Sequence, residues 1–264
     1  MATLPLTFFP DHNENRMKSE GDLKSARNRF LTERPTNLSF LLEQRFIWMN
    51  EFLDNKTSAY ELGCGCGFSK EFIKNLKLTD VSGEAWVDLY VDALNLPFPP
   101  NSVDAFVCSH MIHHIAYPEK FFQGAVKALK PGGLIVISEI NTSWFMRFLL
   151  WLMKHEGWSY EVDLYNNQKP SNDPRDPWSA NCAIPQILFD DAKKFESHFK
   201  ELKIIKNELT EFSIFPLSGG VIAKTRTIPL PRWALKVCHG IDRGLIALFP
   251  GVFAMGRKVV LQKV

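Results

Sequence analysis

The chain has 264 residues, of which 45% are hydrophobic and 23% are charged, and its formal net charge is +2. These proportions are ordinary for a folded globular protein and exclude disordered, collagen-like and coiled-coil chains. The length fits one large α/β domain with an insertion, or two small domains.

Residues 141–264 carry a mild basic excess, 17 Lys and Arg against 12 Asp and Glu. This excess does not resemble the basic stripe of a nucleic-acid-binding protein. We therefore expect no nucleic-acid partner.

Three features of the sequence bear on its compartment. Residues 1–21 lack the basic stretch and the long apolar core of a secretory signal. No apolar run approaches the roughly 18 residues that a membrane span needs. The five cysteines are odd in number and show no disulfide framework, which fits a reducing compartment. A cytoplasmic location is the expectation.

Residues 1–56 predict an N-terminal helical segment. Apolar residues recur there with a helical period after Asn37 and Ser39, either of which would serve as an N-cap. We expect one or two helices packed ahead of the core.

Residues 57–140 alternate between strand and helix patterns. The expected strands, in chain order, are "SAYELG", "LKLTDV", "AWVDLYVDAL", "VDAFVCSHM" and "LIVISEI", and the expected helices are "FSKEFIKNL" and "YPEKFFQGAVKALK". Alternation of this kind predicts a parallel sheet with helices on both faces.

The pattern changes after Asn141. Residues 141–199 contain an apolar helix pattern, a loop rich in Pro, Asn and Asp, and a second helix pattern. We interpret this part as an insertion over the carboxyl ends of the strands. Residues 200–264 contain two late strand patterns separated by the helix pattern "PRWALKVCHGIDRGLIALF", and we expect them to complete the sheet.

That late helix pattern is amphipathic. Trp233, Val237, Ile241 and Leu245 fall on one face, and basic residues fall elsewhere. Covering the sheet is the main interpretation of this apolar face, and contact with a membrane surface is the minority interpretation.

Positions 63–67 hold three glycines and two cysteines in five consecutive residues. Cys64 and Cys66 are separated by one residue, with no second Cys or His pair at metal-ligand spacing, and they do not form the Cys-x-x-Cys of a redox pair. We therefore expect no metal ion. Gly63, Gly65 and Gly67 instead permit positive φ and lack the Cβ atoms that would keep a ligand away from a turn between strand and helix.

The glycine spacing also argues against a dinucleotide fingerprint, which reads G-x-G-x-x-G, because Phe68 stands where the third glycine should be. The stretch "ELGCGCG" resembles the E/D-x-G-x-G-x-G motif of class I S-adenosylmethionine (SAM)-dependent methyltransferases. The stretch "DALNLPFPPNSVDAFVCSHMIHHIAYPEKFFQGAVKALKPGGLIVISE" resembles the methyltransferase type 11 group almost continuously, so the resemblance covers roughly residues 57–140. It implies a Rossmann-like, seven-stranded, mostly parallel sheet with helices on both faces and an insertion after the fifth strand. It also implies SAM as cofactor and methyl transfer as the activity.

The resemblance assigns cofactor contacts to the first strand ends. Glu61 would hold the methionine amine of SAM, directly or through water. Gly63, Gly65 and Gly67 would border the methionine and ribose portions. Asp80 would accept both ribose hydroxyls.

It assigns four more residues to the following strand ends. Asp92 with Ala93 would reach the adenine amino group, and Ser109 and His110 would lie beside the methionine portion.

The segment between Asp80 and Asp92 departs from the family pattern. It is too short for the usual helix between the second and third strands, so we expect that helix to be missing. Glu84 is then the alternative acid for the ribose.

Methyl transfer requires an aligned acceptor and the exclusion of water. An oxygen or carbon acceptor must also lose a proton. His113 is the nearest candidate base, with His114 or His110 as alternatives, and such a base contributes ~10²–10⁴-fold. The sequence supports a packing role for the His113–His114 pair equally well.

Three functions stay open. The first is methylation of a small-molecule acceptor, such as a sugar or a secondary metabolite, in a pocket formed largely by residues 141–199. The second is the same chemistry on a lipid or quinone at a membrane surface. The third is a SAM-binding regulator or scaffold without catalysis.

Overall fold

The computed structural model describes residues 4–10, 22–154, 156–176, 178–222, 225 and 227–264. The strands within these ranges are β1 (Thr7–Phe8), β2 (Ala59–Leu62), β3 (Leu76–Asp80), β4 (Leu89–Tyr90), β5 (Val103–Ser109), β6 (Leu129–Ile140), β7 (Trp158–Ser159), β8 (Leu202–Thr210) and β9 (Gly256–Lys263).

Seven of these strands form one sheet, in the order β4-β3-β2-β5-β6-β9-β8. The pairs from β4 to β6 are parallel, and β9 runs antiparallel to both of its neighbours. Strands β1 and β7 pair separately. The long stretch without a sheet strand follows β6, the fifth strand of this sheet. The predicted fold class, a mostly parallel Rossmann-like sheet with an insertion after the fifth strand, is confirmed.

The helices in the described part of the chain lie on both faces of this sheet. They are α1 (Leu23–Glu33), α2 (Thr36–Phe46), α3 (Asn50–Leu53), α4 (Pro118–Ala128), α5 (Trp144–Met153), α6 (Ile184–Phe189), α7 (Ala192–His198), α8 (Ile214–Ser218), α9 (Arg232–Leu248) and α10 (Pro250–Phe253). Short 3-10 turns occupy Ile47–Met49, Phe68–Glu71 and Ile112–His114.

Two hydrophobic clusters sandwich the sheet. On one face, α4, α6 and α7 pack aromatic rings together, with Phe122 5.3 Å from Phe195 and 5.0 Å from Phe199. On the other face lie α1, α2, α3, α8 and α9. Because successive strand residues point to opposite faces, Phe106 of β5 enters the first cluster and Val107 the second.

The connection from β2 to β3 differs from the prediction. The expected helix over "FSKEFIKNL" is wrong, since the structure has only the 3-10 turn Phe68–Glu71 before β3 begins at Leu76. A crossover between parallel strands usually takes at least a dozen residues, and here the glycine turn uses part of residues 63–75. Too little chain is left for a regular helix. The helix expected to be missing between β3 and β4 is absent from residues 81–88.

The start of α2 also differs from the prediction. The helix begins at Thr36 after Pro35, so neither Asn37 nor Ser39 is its N-cap. The buried Asn37 side chain instead donates to the Leu217 carbonyl at 2.8 Å, which ties α2 to α8. The Asn37 amide, which the sequence suggested as a local N-cap, therefore makes a long-range contact instead.

The apolar stripe of α9 points away from the sheet. Trp233, Val237 and Ile241 are 71%, 55% and 57% exposed, whereas Leu235 and Ile246 are buried. The interpretation that this stripe covers the sheet is therefore wrong. Periodicity identifies an apolar face but not the direction in which it points.

Within the described ranges, no helix is long and apolar enough to cross a membrane.

Candidate active site

The glycine turn follows β2 at the carboxyl edge of the sheet. Gly63, Gly65 and Gly67 all have left-handed φ, at 65°, 49° and 63°. A Cβ at Gly63 would lie 2.5 Å from Cγ of Met111, so the turn packs directly against the chain that follows β5. A Cβ at Gly65 would meet nothing closer than a Leu23 methyl group at 4.0 Å. The turn therefore leaves room for a ligand beside Gly65.

Three side chains from outside the turn hold it in place. Asp80 accepts a hydrogen bond from the Gly65 N–H at 2.8 Å. Trp86 donates its indole N–H to the Gly65 carbonyl at 2.8 Å, and Arg27 donates to the Cys66 carbonyl at 2.6 Å. The Arg27 guanidinium also lies 5.0 Å from the centre of the Trp86 ring. The turn is thus preorganised before a ligand arrives.

Arg27 and Trp86 were not identified from the sequence. Arg27 lies on α1, remote in sequence from the turn, and Trp86 lies in the loop that replaces the missing helix. Neither belongs to a motif. The nearest sequence signal was the unusually short segment between β3 and β4, which leaves the side of the turn to be covered by other residues.

Two carboxyl groups lie beside the turn. Glu61 is 2% exposed and accepts a hydrogen bond from the Ser69 hydroxyl. Burial raises the pKa of Glu61 to about 8; the Ser69 hydrogen bond opposes the rise, and the nearby Asp80 adds to it. Asp80 is 8% exposed and also accepts from the Ser82 N–H at 2.8 Å. A cationic group next to this pair would stabilise the ionised form of Glu61.

The alternative acid for the ribose, Glu84, lies in the same loop as Trp86. One of its carboxylate oxygens is buried and accepts no hydrogen bond, although it lies 3.5 Å from the Lys24 ammonium group. The Asp80 carboxylate already accepts hydrogen bonds from two backbone N–H groups, those of Gly65 and Ser82. Of the two acids, Glu84 has the less satisfied carboxylate.

Asp92 and Ala93 follow β4 at the same edge of the sheet. Asp92 accepts from the Leu94 N–H at 2.8 Å and from the Asn95 side-chain amide at 2.5 Å. The Asp92 carboxylate thus stabilises the turn formed by residues 92–95. Ala93 is half-buried and packs against the core.

Ser109 is the last residue of β5, and His110 follows it. Ser109 pairs with Ser138 of β6. His110 has a φ of 51°, which is unusual for a residue other than glycine, and its Nε2 atom is buried without a hydrogen bond. A strained backbone and an unsatisfied buried ring nitrogen are typical of a ligand site.

The two cysteines of the turn point their thiols into the protein. Burial raises the pKa of Cys66 to about 12 and that of Cys64 further. The Cys66 thiol lies 3.7 Å from the Leu23 carbonyl, as a weak donor. Both sulfur atoms pack as protonated thiols, and the turn offers its backbone to a ligand.

The 3-10 turn Ile112–His114, which we call the histidine turn, brings the predicted catalytic histidines to the end of β5. Nδ1 of His113 lies 2.7 Å from one carboxylate oxygen of Glu139, and the other oxygen accepts from the Ile112 N–H at 2.6 Å. Burial lowers the pKa of His113, but the charges and hydrogen bonds of Glu139 and Glu156 outweigh it and raise that pKa to about 10. His113 is therefore a buried partner of carboxylates.

His114 has different surroundings. Its Nδ1 donates to the Ser179 carbonyl at 3.1 Å, and its Nε2 lies 3.8 Å from Glu156. Burial and the neighbouring His113 lower the pKa of His114 to about 4, so the ring is neutral at pH 7. Glu156 also accepts from the Cys182 thiol at 3.1 Å. Glu156, in the insertion, is a site residue that no sequence motif marks.

A cavity of about 540 Å³ opens at the opposite, amino-terminal edge of the sheet, between Lys56, Asn75 and Asp88. None of the residues predicted for the site lines it. The candidate site is therefore the carboxyl edge, where the glycine turn contacts the histidine turn through Met111.

Comparison with known proteins finds similarity to methyltransferases. Residues 59–137 match the family model described as a methyltransferase domain. Over 133 residues the chain is 29% identical to the demethylmenaquinone methyltransferase of Desulfitobacterium hafniense (strain Y51), covering 50% of this chain and 48% of that protein. A match to the demethylmenaquinone methyltransferase of Clavibacter sepedonicus is 39% identical over 54 residues and covers 20% of this chain and 22% of that protein. The chain thus spans about half, or less, of the length of these relatives.

Among solved structures, a SAM-dependent methyltransferase from Archaeoglobus fulgidus superimposes with a TM-score of 0.50 at 15% identity, covering 94% of this chain and 97% of that chain. At this identity the likeness concerns the fold. The resemblance to class I methyltransferases is confirmed for the segment that carries the motifs, residues 59–137, which match the methyltransferase domain model.

Proposed function

We propose that the protein is a SAM-dependent methyltransferase that acts on a small-molecule acceptor. One observation carries the proposal: Gly65 turns the chain with a left-handed φ at the carboxyl edge of the sheet, beside open space. The carboxyl groups of Glu61 and Asp80 flank the same turn. Two acids next to a half-buried backbone turn suit a ligand that carries both a positive charge and sugar hydroxyls, as SAM does.

The residues around the turn have complementary roles in this proposal. Glu61 would hold the methionine amine, and Asp80 or Glu84 would accept the ribose hydroxyls. Asp92 with Ala93 would border the adenine. When bound, SAM supplies an electrophilic methyl group, and the protein's part is to orient the acceptor and exclude water.

Ser109 and His110 would lie beside the methionine portion, between the glycine turn and the histidine turn. The buried, unpartnered Nε2 atom of His110 supports this assignment, because a buried polar atom normally has a partner.

His113 and His114 remain the proposed catalytic residues for an acceptor that must lose a proton. The support is geometric. Both Nδ1 atoms are bonded on the far side of the rings, so both Nε2 atoms face the space next to Glu156. An acceptor hydroxyl placed there would meet Nε2 of His114, whose ring is neutral at pH 7 and can take its proton. His113, whose pKa is raised to about 10, would act beside it as the charged partner of Glu156.

The first candidate acceptor is a sugar or a secondary metabolite, bound largely by residues 141–199. A buried polar network within this segment supports a polar acceptor. Thr142 and the Tyr160 hydroxyl lie 2.7 Å apart, and both contact the Gln186 side-chain oxygen, at 2.6 and 2.7 Å.

The second candidate is a lipid or quinone at a membrane surface. Helix α9 exposes Trp233, Val237 and Ile241 along one stripe, with Lys236 and Arg243 also exposed. An apolar face bordered by basic residues is typical of a helix that lies in a membrane interface. The similarity to demethylmenaquinone methyltransferases also favours a quinone acceptor.

A screen of cell extract for molecules that gain one methyl group tests the proposed activity. The gain must require both SAM and the protein, and a Gly65→Val variant serves as the control because it fills the open space beside the turn. Binding of SAM with no methylated product across a broad acceptor panel would favour the third function, a regulator or scaffold.

Co-sedimentation with anionic phospholipid vesicles separates the two acceptor classes. The second candidate predicts that the protein sediments with the vesicles and that Ile241→Glu abolishes this. Ile205→Glu is the matched control, because Ile205 is 48% exposed on β8, outside α9. No association with vesicles, or equal losses in both variants, would leave the first candidate.

A further inference from the structure

Three donor side chains meet between the histidine turn and the segment that follows α5. Nε2 of His113 lies 3.8 Å from one carboxylate oxygen of Glu156, and Nε2 of His114 lies 3.8 Å from the other. One donor atom from each residue can be chosen so that all lie within 4.8 Å of one another. Among the described residues, no other group of three or more His, Cys, Asp or Glu side chains is close enough to share an ion.

The opposite ring nitrogens are already engaged. Nδ1 of His113 bonds to Glu139 at 2.7 Å, and Nδ1 of His114 bonds to the Ser179 carbonyl at 3.1 Å. Both partners accept a hydrogen bond from Nδ1–H, so Nε2 is the nitrogen of each ring that faces Glu156. An ion bound there would displace a proton from Nε2 of His113. Histidines that bind metals donate their other N–H to a carboxylate or a backbone carbonyl in this way.

The spacing of the donor atoms suits a small ion after a modest adjustment. Ligand atoms about 2.0–2.1 Å from a tetrahedral Zn²⁺ ion lie about 3.4 Å from one another. The observed 3.8 Å between each Nε2 atom and Glu156 is slightly longer. The Glu156 side chain is 16% exposed, and a shift of about 0.4 Å would bring its oxygens to that spacing. Three protein ligands leave a fourth tetrahedral position open.

The charges also favour a cation. Two carboxylates, Glu139 and Glu156, lie on either side of the imidazole of His113. A divalent ion would compensate their buried negative charge.

We propose that His113, His114 and Glu156 bind a divalent transition-metal ion of the Zn²⁺ type, with Glu139 and the Ser179 carbonyl orienting the two imidazoles. Two imidazoles and a carboxylate are ligands that suit Zn²⁺. Metal binding does not depend on the proposed methyl transfer. Its use there does rest on that function: the open position would take an acceptor oxygen and lower its pKa. The two imidazoles would then hold the ion instead of acting as the base.

Zn²⁺ titration tests the proposal. The full chain, prepared without a histidine tag and stripped with a chelator, is titrated with Zn²⁺ against a chromophoric competitor. We expect one equivalent bound per chain and a rise in Tm when Zn²⁺ is added. Glu156→Gln keeps the size of the side chain but removes its charge, and should weaken Zn²⁺ binding at least about a hundredfold, since even residues behind the ligands contribute about 10–100-fold.

A surface histidine provides the matched control. His198 bonds to Glu119 on the outside of the protein at 3.0 Å, so His198→Gln should leave Zn²⁺ affinity unchanged. No Zn²⁺ binding by the wild-type protein, or unchanged affinity in both Glu156→Gln and His114→Asn, overturns the proposal.

If these variants do not fold, NMR of isotope-labelled histidine in the wild-type protein decides. Zn²⁺ must shift the Nε2 resonances of His113 and His114, and unshifted resonances overturn the proposal. These measurements use neither SAM nor an acceptor, so their failure is distinct from a failure of the proposed methyl transfer.

Discussion

Asp80, at the end of β3, accepts a hydrogen bond from the backbone N–H of Gly65, in the turn after β2, at 2.8 Å. The acid that the family pattern assigns to the ribose therefore also holds the turn that the cofactor would lie against. If Asp80 holds the ribose as we propose, cofactor binding and the shape of the turn are coupled through this one carboxylate.

Asp80→Ala should weaken SAM binding roughly ten- to a hundredfold. The change removes charge-assisted hydrogen bonds worth about 1.5–3 kcal/mol and frees the Gly65 amide. Glu84→Ala should have little effect if Asp80 holds the ribose. Calorimetric titration of SAM into both variants measures this, and thermal melts show that each is folded.

The opposite result is informative for the same pair. If Glu84→Ala causes the larger loss, the less satisfied carboxylate of Glu84 holds the ribose and Asp80 serves the turn. Unchanged SAM affinity in both variants would mean that neither acid contacts the ribose.

Gly65→Val and Gly63→Ala should fail in different ways. The Cβ position at Gly65 faces open space, so Gly65→Val should abolish SAM binding while the protein still melts cooperatively. Its Tm should fall, because a β-branched residue is strained at a φ of 49°. At Gly63 a Cβ would lie 2.5 Å from Met111, so Gly63→Ala should lower the free energy of unfolding by about 1–3 kcal/mol. Normal SAM binding by Gly65→Val would show that the cofactor does not lie at this turn.

The double variant Cys64→Ser, Cys66→Ser should keep its SAM affinity. Both thiols are buried and protonated, and the turn presents its backbone to a ligand. Some loss of Tm is expected, because two hydroxyl groups replace buried thiols. Loss of SAM binding in a folded double variant, or loss of a metal ion that copurifies with the wild-type protein, would contradict this role.

The succession of strands along residues 57–140 and the position of the glycine turn could be predicted because both depend on local patterns. Each strand is a short apolar run, and the turn is a contiguous motif. The absence of a helix after the turn could not be predicted. The pattern over residues 68–76 is helical, but the crossover to β3 leaves no room for a helix. Chain length between two fixed strands overrode local preference.

Contacts between distant segments account for the other omissions. Arg27 reaches the turn from α1, and Glu156 reaches the histidines from the insertion. Neither residue belongs to a motif, so only the packing of elements brings it to the site. The exposed stripe around Trp233 was misassigned for a related reason, because the direction of a helix face depends on how the helix docks.

Stability at acid pH should depend on Asp104. Burial alone would raise its pKa, but hydrogen bonds from Lys130, Ser58 and Thr57 outweigh burial and hold that pKa well below its usual range. The folded-state pKa thus lies below the unfolded value of about 3.9. The carboxylate therefore stabilises the fold above about pH 4, and this contribution is lost as the pH falls through the folded-state pKa.

Urea unfolding of Asp104→Asn and wild type at two pH values measures this effect. At pH 7 the variant should be less stable by about 1.5–3 kcal/mol, the usual value of hydrogen bonds to a charged group. Near pH 2 the difference should shrink. An equal difference at both pH values would assign the loss to packing.

Calorimetric titration of the wild-type protein with SAM, and separately with NAD, tests the central claim most directly. The glycine spacing and the open space beside Gly65 predict one SAM site with an affinity in the micromolar range, lost in Gly65→Val, and no binding of NAD. Tight NAD binding without SAM binding would contradict the assignment of this site.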